Sequence, residues 1–342
     1  MTLKLALAIC TILTAITPRA ATQSKVAPAT ATKTDTSAAK KSLLDPALIE
    51  YRPLDSGISG NLSSIGSDTL NNLMTLWSEA FGRLYPSVRV QIEGKGSGTA
   101  PPALIAGTAQ FGPMSRAMKP SELDKFVKKY GYKPTRIKVA IDALAVFVNK
   151  DNPLQHASME QIDAMFSKLR KRGLSNDITK WGQLGLTGDW ADKPIRLYGR
   201  NSASGTYGYF KKVALKKGDY KNSVKEQPGS ASVVRAITED LYGIGYSGIG
   251  YKTSGVRTLA ISKPKSGKFY GTDSKSVLSG KYPLARYLYI YINKKPNQPL
   301  PPLGREFLRF VLSRAGQAIV IKDGYLPIRA ELAAKMTSLV SN

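Results

Sequence analysis

Leu70, Leu73, Met74, Trp77, Phe81 and Leu84 recur at helical spacing, so a helix is predicted from about residue 70 to 84. A short strand is expected before it, near 58–65, and the alternating stretch Val88-Arg-Val-Gln-Ile-Glu93 after it reads as another. A helix over 100–107 follows, then a long β-rich run over 138–149 that stops at Asp151-Asn152-Pro153. Further helices are expected over 121–130, 158–167, 205–215, 230–240 and 304–321, with a strand over 286–292 before the last of them. Strand and helix patterns that alternate in this way predict α/β architecture with mainly parallel sheets. No internal repeat interrupts the alternation.

The first residues have a different pattern. Lys4, the apolar stretch Leu5 to Ile16 and the small residues Ala20 and Ala21 make 1–21 a secretory signal peptide, too short in its apolar part to anchor a mature chain across a bilayer. Cys10 lies inside it, and Ile9 in front of that cysteine argues against lipid attachment. Residues 22–57, rich in Ala, Thr and Lys at their start and without apolar periodicity, are expected to form a flexible tether. The remainder reads as one folded unit, possible to divide into two lobes.

Composition narrows the function. The chain of 342 residues is 42% hydrophobic and 22% charged, enough to bury sizeable cores. Its 50 Lys and Arg against 24 Asp and Glu give a formal charge of +26, and losing 1–21 removes Lys4, Arg19 and no acid, which leaves +24. Such a balance favours anionic partners. One Cys and one His exclude disulfide scaffolds, Cys/His zinc sites and His-dependent catalytic triads. No cofactor and no metal site is expected.

Three loops carry the candidate chemistry. Gly66-Ser67-Asp68-Thr69, Gly94-Lys95-Gly96-Ser97-Gly98-Thr99 and Arg200-Asn201-Ser202-Ala203-Ser204-Gly205-Thr206 each place small hydroxyl residues and glycine at the start of a predicted helix. Free amides and the positive end of the helix dipole suit such places to oxyanions, hydroxyls add donors, and glycine lets the backbone come close. One such loop is ordinarily just a helix cap. Three in one chain point to an anion site.

These loops resemble those of a known family, the periplasmic substrate-binding proteins of phosphate ABC transporters, the PstS type. The resemblance runs from about 59 to 332 and is most specific at Tyr198-Gly-Arg-Asn-Ser-Ala-Ser-Gly-Thr-Tyr-Gly-Tyr-Phe210, with support from Gly66-Ser-Asp-Thr-Leu70, Gly96-Ser-Gly98, Phe111-Gly-Pro-Met-Ser-Arg116, Trp181-Gly-Gln-Leu-Gly185 and Tyr242-Gly-Ile-Gly-Tyr-Ser-Gly-Ile-Gly-Tyr251. It implies the two-lobed α/β periplasmic-binding-protein fold (type II), with two crossing strands as hinge and phosphate clamped between the lobes. One lobe is then 58–143 with 288–342 and the other 144–287. Carried over by position, the binding residues are Thr69 and the amide of Leu70, then Ser97, then Arg200, Ser204, Gly205 and Thr206, and Ser67 of the first loop is counted with them as a candidate. The resemblance further implies a periplasmic monomer that delivers inorganic phosphate to ABC permease subunits and binds no nucleic acid.

Two positions depart from the family pattern: Ser115 and Ser202 stand where many members carry an acid. A carboxylate there accepts a hydrogen bond from protonated phosphate, which sulfate cannot donate. Asp68 is therefore read either as a replacement acceptor, with Arg116 adding positive charge nearby, or as a helix N-cap. Other patterns fail on context. Gly243-Ile-Gly245-Tyr-Ser-Gly248 spells a dinucleotide fingerprint but follows a helix pattern, so it reads as a glycine-rich strand and turn. His156 stands alone, and Lys168-Leu-Arg-Lys-Arg172 reads as a solvated basic face. Two competing functions are a basic extracellular interaction or nucleic-acid-binding protein on the same fold, and a phosphatase, which lacks a nucleophile with its base.

Overall fold

The structure, a computed structural model, describes residues 43–341; the expected signal peptide (1–21) with Cys10, and the expected tether up to residue 42, lie outside the described residues. In chain order the elements are β1 (Gly60–Ile65), α1 (Asn71–Leu84), β2 (Val88–Glu93), α2 (Ala100–Ala106), β3 (Phe111–Met114), α3 (Pro120–Tyr130), β4 (Thr135–Asn149), β5 (His156–Ser158) and α4 (Met159–Phe166). They continue with β6 (Arg196–Arg200), α5 (Gly205–Val213), β7 (Lys225–Gln227), α6 (Ser230–Thr238), β8 (Gly243–Gly248), β9 (Val256–Thr258), β10 (Ala260–Ser262), β11 (Phe269–Tyr270) and α7 (Ser274–Leu278). The last are β12 (Ala285–Ile292), α8 (Pro302–Leu312), α9 (Arg314–Lys322) and α10 (Ala330–Ser341).

The main sheet runs in the order β2-β1-β3-β12-β4-β8-β6-β7, with β9 also pairing with β4. Its two ends are parallel, β1 with β2 and β3, and β6 with β7 and β8. Its middle is antiparallel, because β4 and β12 run against each other and against their outer neighbours. The expectation of mainly parallel sheets is corrected to a mixed sheet. β4 is the long member: 135–143 ladder to β12, and 144–148 ladder to β8. One strand thus belongs to both halves of the sheet, and two α/β lobes form around it.

Each lobe has its own core. α1 buries Leu73, Met74, Trp77 and Phe81 against Phe111, Ile290, Phe307 and Phe310, and the Trp77 indole donates to the Gly316 carbonyl at 2.9 Å. In the other lobe Leu144 and Val146 of β4 pack with Ile162, Phe166, Trp181 and Phe210, and Phe210 stacks on Tyr246 with ring centroids 3.9 Å apart. Fully burying one such side chain contributes about 1.5–3 kcal/mol, so each lobe has the material for a core of its own.

Several expectations change. The helix expected over 304–321 is two helices, because Ser313 leaves the helical backbone and accepts from the Gly316 amide, which caps α9. Residues 43–57, expected as tether, are irregular but packed: Leu48 is buried in the first core, the Leu54 amide donates to the Tyr85 hydroxyl, and the Arg314 amide donates to the Ile49 carbonyl. Within the basic run 168–172, Arg170 pairs with Asp177 and Arg172 donates to the carbonyls of Val213 and Ala214, so these two side chains brace the lobe. His156 stacks on Phe269.

Asp323, at the end of α9, takes a hydrogen bond from Asn72, while its second carboxylate oxygen is buried without a partner. Burial pushes its pKa up to about 6, with the Asn72 bond opposing, from an ordinary value of 3.8. The folded chain therefore holds a proton that the unfolded chain has already released, and stability falls as pH rises through this window. Asp323→Asn removes that step. Thermal melts between pH 4 and pH 7 are expected to show the wild type losing more of its midpoint than the variant, and parallel curves would mean that the carboxyl is solvated after all.

Candidate functional site

The carboxyl ends of β1, β2 and β3 in one half of the sheet and of β6 in the other face each other across the middle of β4, and the loops that follow them meet there. Crevices outside the carboxyl ends of parallel strands are the usual ligand sites of α/β folds. The first loop is held by the Ser67 amide on the Pro113 carbonyl at 2.8 Å, and the second is tied to it by the Gly96 amide on the Gly66 carbonyl at 2.7 Å. Gly96 has a φ of +113°, and a Cβ there would lie 2.7 Å from the Ala203 carbonyl oxygen, so only glycine lets the second and third loops touch. The Gly98 amide donates to that same carbonyl at 2.9 Å.

Hydroxyls line the meeting point. Thr69 and Thr206 share a hydrogen bond between their Oγ1 atoms at 2.9 Å, which joins loops from the two lobes. Ser97 Oγ accepts from the Ser115 amide at 3.0 Å and lies 3.2 Å from Ser115 Oγ. Gly205, the first residue of α5, sits directly on this pair: a Cβ there would be 2.2 Å from Ser97 Oγ and 2.5 Å from Ser115 Oγ. Ser204 caps α5, its Oγ accepting from the amides of Thr206 and Tyr207.

Arg200, at the end of β6, is 1% exposed. Its Nη1 donates to Ser230 Oγ at 2.7 Å and pairs with Asp68 Oδ2 at 3.0 Å, and its Nη2 donates to the Pro228 carbonyl. Burial pulls its pKa below the ordinary guanidinium value, and the Asp68 carboxylate opposes that pull. Asp68 Oδ2 also accepts from the amide and the hydroxyl of Ser230, at 2.8 and 2.7 Å. Asp68 therefore bridges from the first loop to β6 and to the start of α6.

The structure brings together Ser67, Asp68, Thr69, Ser97, Ser115, Arg200, Ser204, Gly205 and Thr206, and it changes the reading of four residues. The Leu70 amide is used inside its own turn, on the Ser67 carbonyl. Arg116 is held by Glu122 through two hydrogen bonds of 2.7 and 2.8 Å, so its charge is neutralised on the neighbouring helix α3. Asp68 makes no cap bond to its own helical turn. Ser202 is exposed.

Two further charged residues stand at the site: Asp142 on β4 and Arg286 on β12, which are direct partners across the ladder. Arg286 Nε and Nη2 bond to Asp142 Oδ2 at 2.9 and 2.7 Å, and Nη2 also donates to Thr206 Oγ1 at 2.9 Å. Asp142 Oδ1 accepts from the Ile249 amide. Sequence reasoning passed over both, although the signal was present as one acid inside the apolar run Val139-Ala-Ile-Asp-Ala-Leu144 and one base inside Arg286-Tyr-Leu-Tyr-Ile-Tyr-Ile292. A cavity of about 530 Å³ borders this place, lined among others by Ser115, Lys119, Tyr209, Lys212, Lys217 and Arg286. The assembly offers hydroxyl, amide and guanidinium donors. Among the described residues no group of three His, Cys, Asp or Glu is placed to hold a metal ion.

Comparison with known proteins agrees with this geometry. The family model of the PBP superfamily domain matches residues 25–315. The phosphate-binding protein PstS of Pseudomonas aeruginosa is 59% identical over 292 residues, covering 85% of this chain and 90% of that protein. PstS of Staphylococcus saprophyticus is 29% identical over 261 residues, 76% of this chain and 78% of that one. An ABC-type phosphate transport receptor from Vibrio cholerae superposes with a TM-score of 0.60 at 21% identity, over 78% of this chain and 100% of its own, and shares the fold. Two lobes around a shared strand, hydroxyl loops facing each other across the cleft and this degree of identity lead to one conclusion: the chain belongs to the PBP superfamily and, within it, to the PstS-type phosphate-binding proteins.

Proposed function

We propose that the protein captures inorganic phosphate between its two lobes, without catalysis, and presents the closed, loaded form to the membrane subunits of an ABC transporter. The observation that carries this reading is the convergence of three donor-rich loops on one cleft, joined by Thr69 and Thr206 across the lobes and by Gly205 against Ser97 and Ser115. Thr69, Ser97, Ser115, Arg200, Ser204, Gly205 and Thr206 are the residues assigned to the anion. Arg200 already has a counterion in Asp68, so binding rests on hydrogen bonds more than on net charge.

The lobes are assigned as 58–143 with 288–342, and 144–287, which bend toward each other about β4 and β12. Residues 1–21 are assigned to export and the protein to the periplasm as a monomer, in keeping with its family. No described helix is long and apolar enough to cross a membrane. The formal charge of +24 that remains without 1–21 (26 − 2) draws anions toward the cleft. Beyond the basic composition, no observation on the described residues favours the nucleic-acid reading or the phosphatase reading.

Calorimetry on refolded, ligand-free protein is the direct test. One-to-one phosphate binding is expected, and absence of binding overturns the reading. Gly205→Ala is expected to weaken phosphate by about ten- to hundredfold, since the added methyl forces Ser97 and Ser115 apart and takes hydrogen bonds to a charged ligand with them. The three donors on Asp68 Oδ2 favour a latch over an acceptor for the ligand's proton. Asp68→Asn is accordingly expected to weaken phosphate and sulfate in parallel; a collapse of the phosphate preference alone would return the acceptor role to this residue.

A further inference from the structure

Arg286 has more donors than its visible partners use. Its side chain is 3% exposed, two of its nitrogens are taken by Asp142 and Thr206, and Nη1 is buried with no partner. Arg200 repeats the pattern, with Nε buried and unpartnered. A cross-strand ion pair alone needs no third donor, and a buried donor on a charged group is costly to leave unmade. The two guanidinium groups are joined through short links: Arg286 donates to Thr206, which bonds Thr69, and Arg200 pairs with Asp68 beside Thr69. Each guanidinium has one carboxylate counterion, and each keeps one buried donor nitrogen without a partner, a donor that an oxyanion satisfies. The Arg286 guanidinium lies over the Tyr209 ring, 5.2 Å from its centroid, and borders the basic cavity that includes Ser115. No Asp or Glu lines that cavity.

We propose that Arg286 is a second anion-binding arginine of the cleft, whose free Nη1 donates to the bound phosphate and which favours its dianion. This rests on the phosphate reading above. Asp142 is the positioning residue: it holds Nε and Nη2, fixes the plane of the guanidinium, and so aims the remaining fork nitrogen. A chain of bonds then runs from Asp142 through Arg286 and Thr206 to Thr69, linking both crossing strands to the loops of both lobes. Because Arg286 sits on a crossing strand, the ligand is bonded to the hinge itself.

Phosphate titrations of wild type, Arg286→Gln, Arg286→Lys and the double variant Asp142→Asn/Arg286→Gln, repeated at pH values spanning the second ionisation of phosphate, test this. The double variant removes the ion pair as a unit and guards against a Gln variant that fails to fold, which circular dichroism melts report. Wild type is expected to gain affinity as phosphate becomes the dianion. Arg286→Gln and the double variant are expected to bind about ten- to hundredfold more weakly and to lose most of that gain, while Arg286→Lys keeps the gain at reduced affinity. Folded Gln or double variants with wild-type affinity and an unchanged pH profile overturn the role of Arg286. Failure of the wild type to bind phosphate overturns the functional reading instead.

Discussion

β4 is hydrogen-bonded to β12 over its first part and to β8 over its second. Buried backbone amides and carbonyls must keep their partners, so neither half of the sheet can leave this strand. The two lobes therefore share one strand, and the point of change, between Ala143 and Leu144, lies one residue from Asp142. The loops that line the cleft are placed by where their strands end relative to this point.

The charges in the cleft are arranged as pairs. Arg200 from one lobe meets Asp68 from the other, and Arg286 meets Asp142 across the crossing strands. Buried ion pairs contribute little net stability, because removing both groups from water costs about as much as their attraction returns. Their use here is orientation: each aspartate fixes a guanidinium and leaves one nitrogen of it without a protein partner. The cleft therefore presents directed donors with these charges paired, and further basic residues, Lys119, Lys212 and Lys217, line the adjoining cavity.

Much of this was legible in local pattern. The boundaries of β2 and the buried face of α1 follow from alternation and helical spacing, since both are set by neighbours along the chain. The three Ser/Thr/Gly loops were legible for the same reason, as caps have short-range signatures. Partners that arrive from elsewhere in the chain were not. Arg116 looked like a ligand until α3 brought Glu122 to it, and Leu70 offered an amide that its own turn uses. Residues 43–57 lack periodicity because they pack one residue at a time against a surface made by α1, α8 and α9. The division at Ser313 was hidden because apolar residues continue on both sides of it.

By itself the sequence determined an α/β chain with an anion-receptive set of loops and too few Cys and His for a disulfide scaffold or a Cys/His zinc site, because these depend on residue types and on spacing within single elements. The tertiary structure decided which donors are free. Ser97 and Ser115 meet beneath Gly205, Asp68 is drawn across to Ser230, and a base and an acid in two apolar strands become neighbours in one ladder. Those outcomes depend on distances between residues as many as 162 apart in the chain, which only the packing of the two lobes sets.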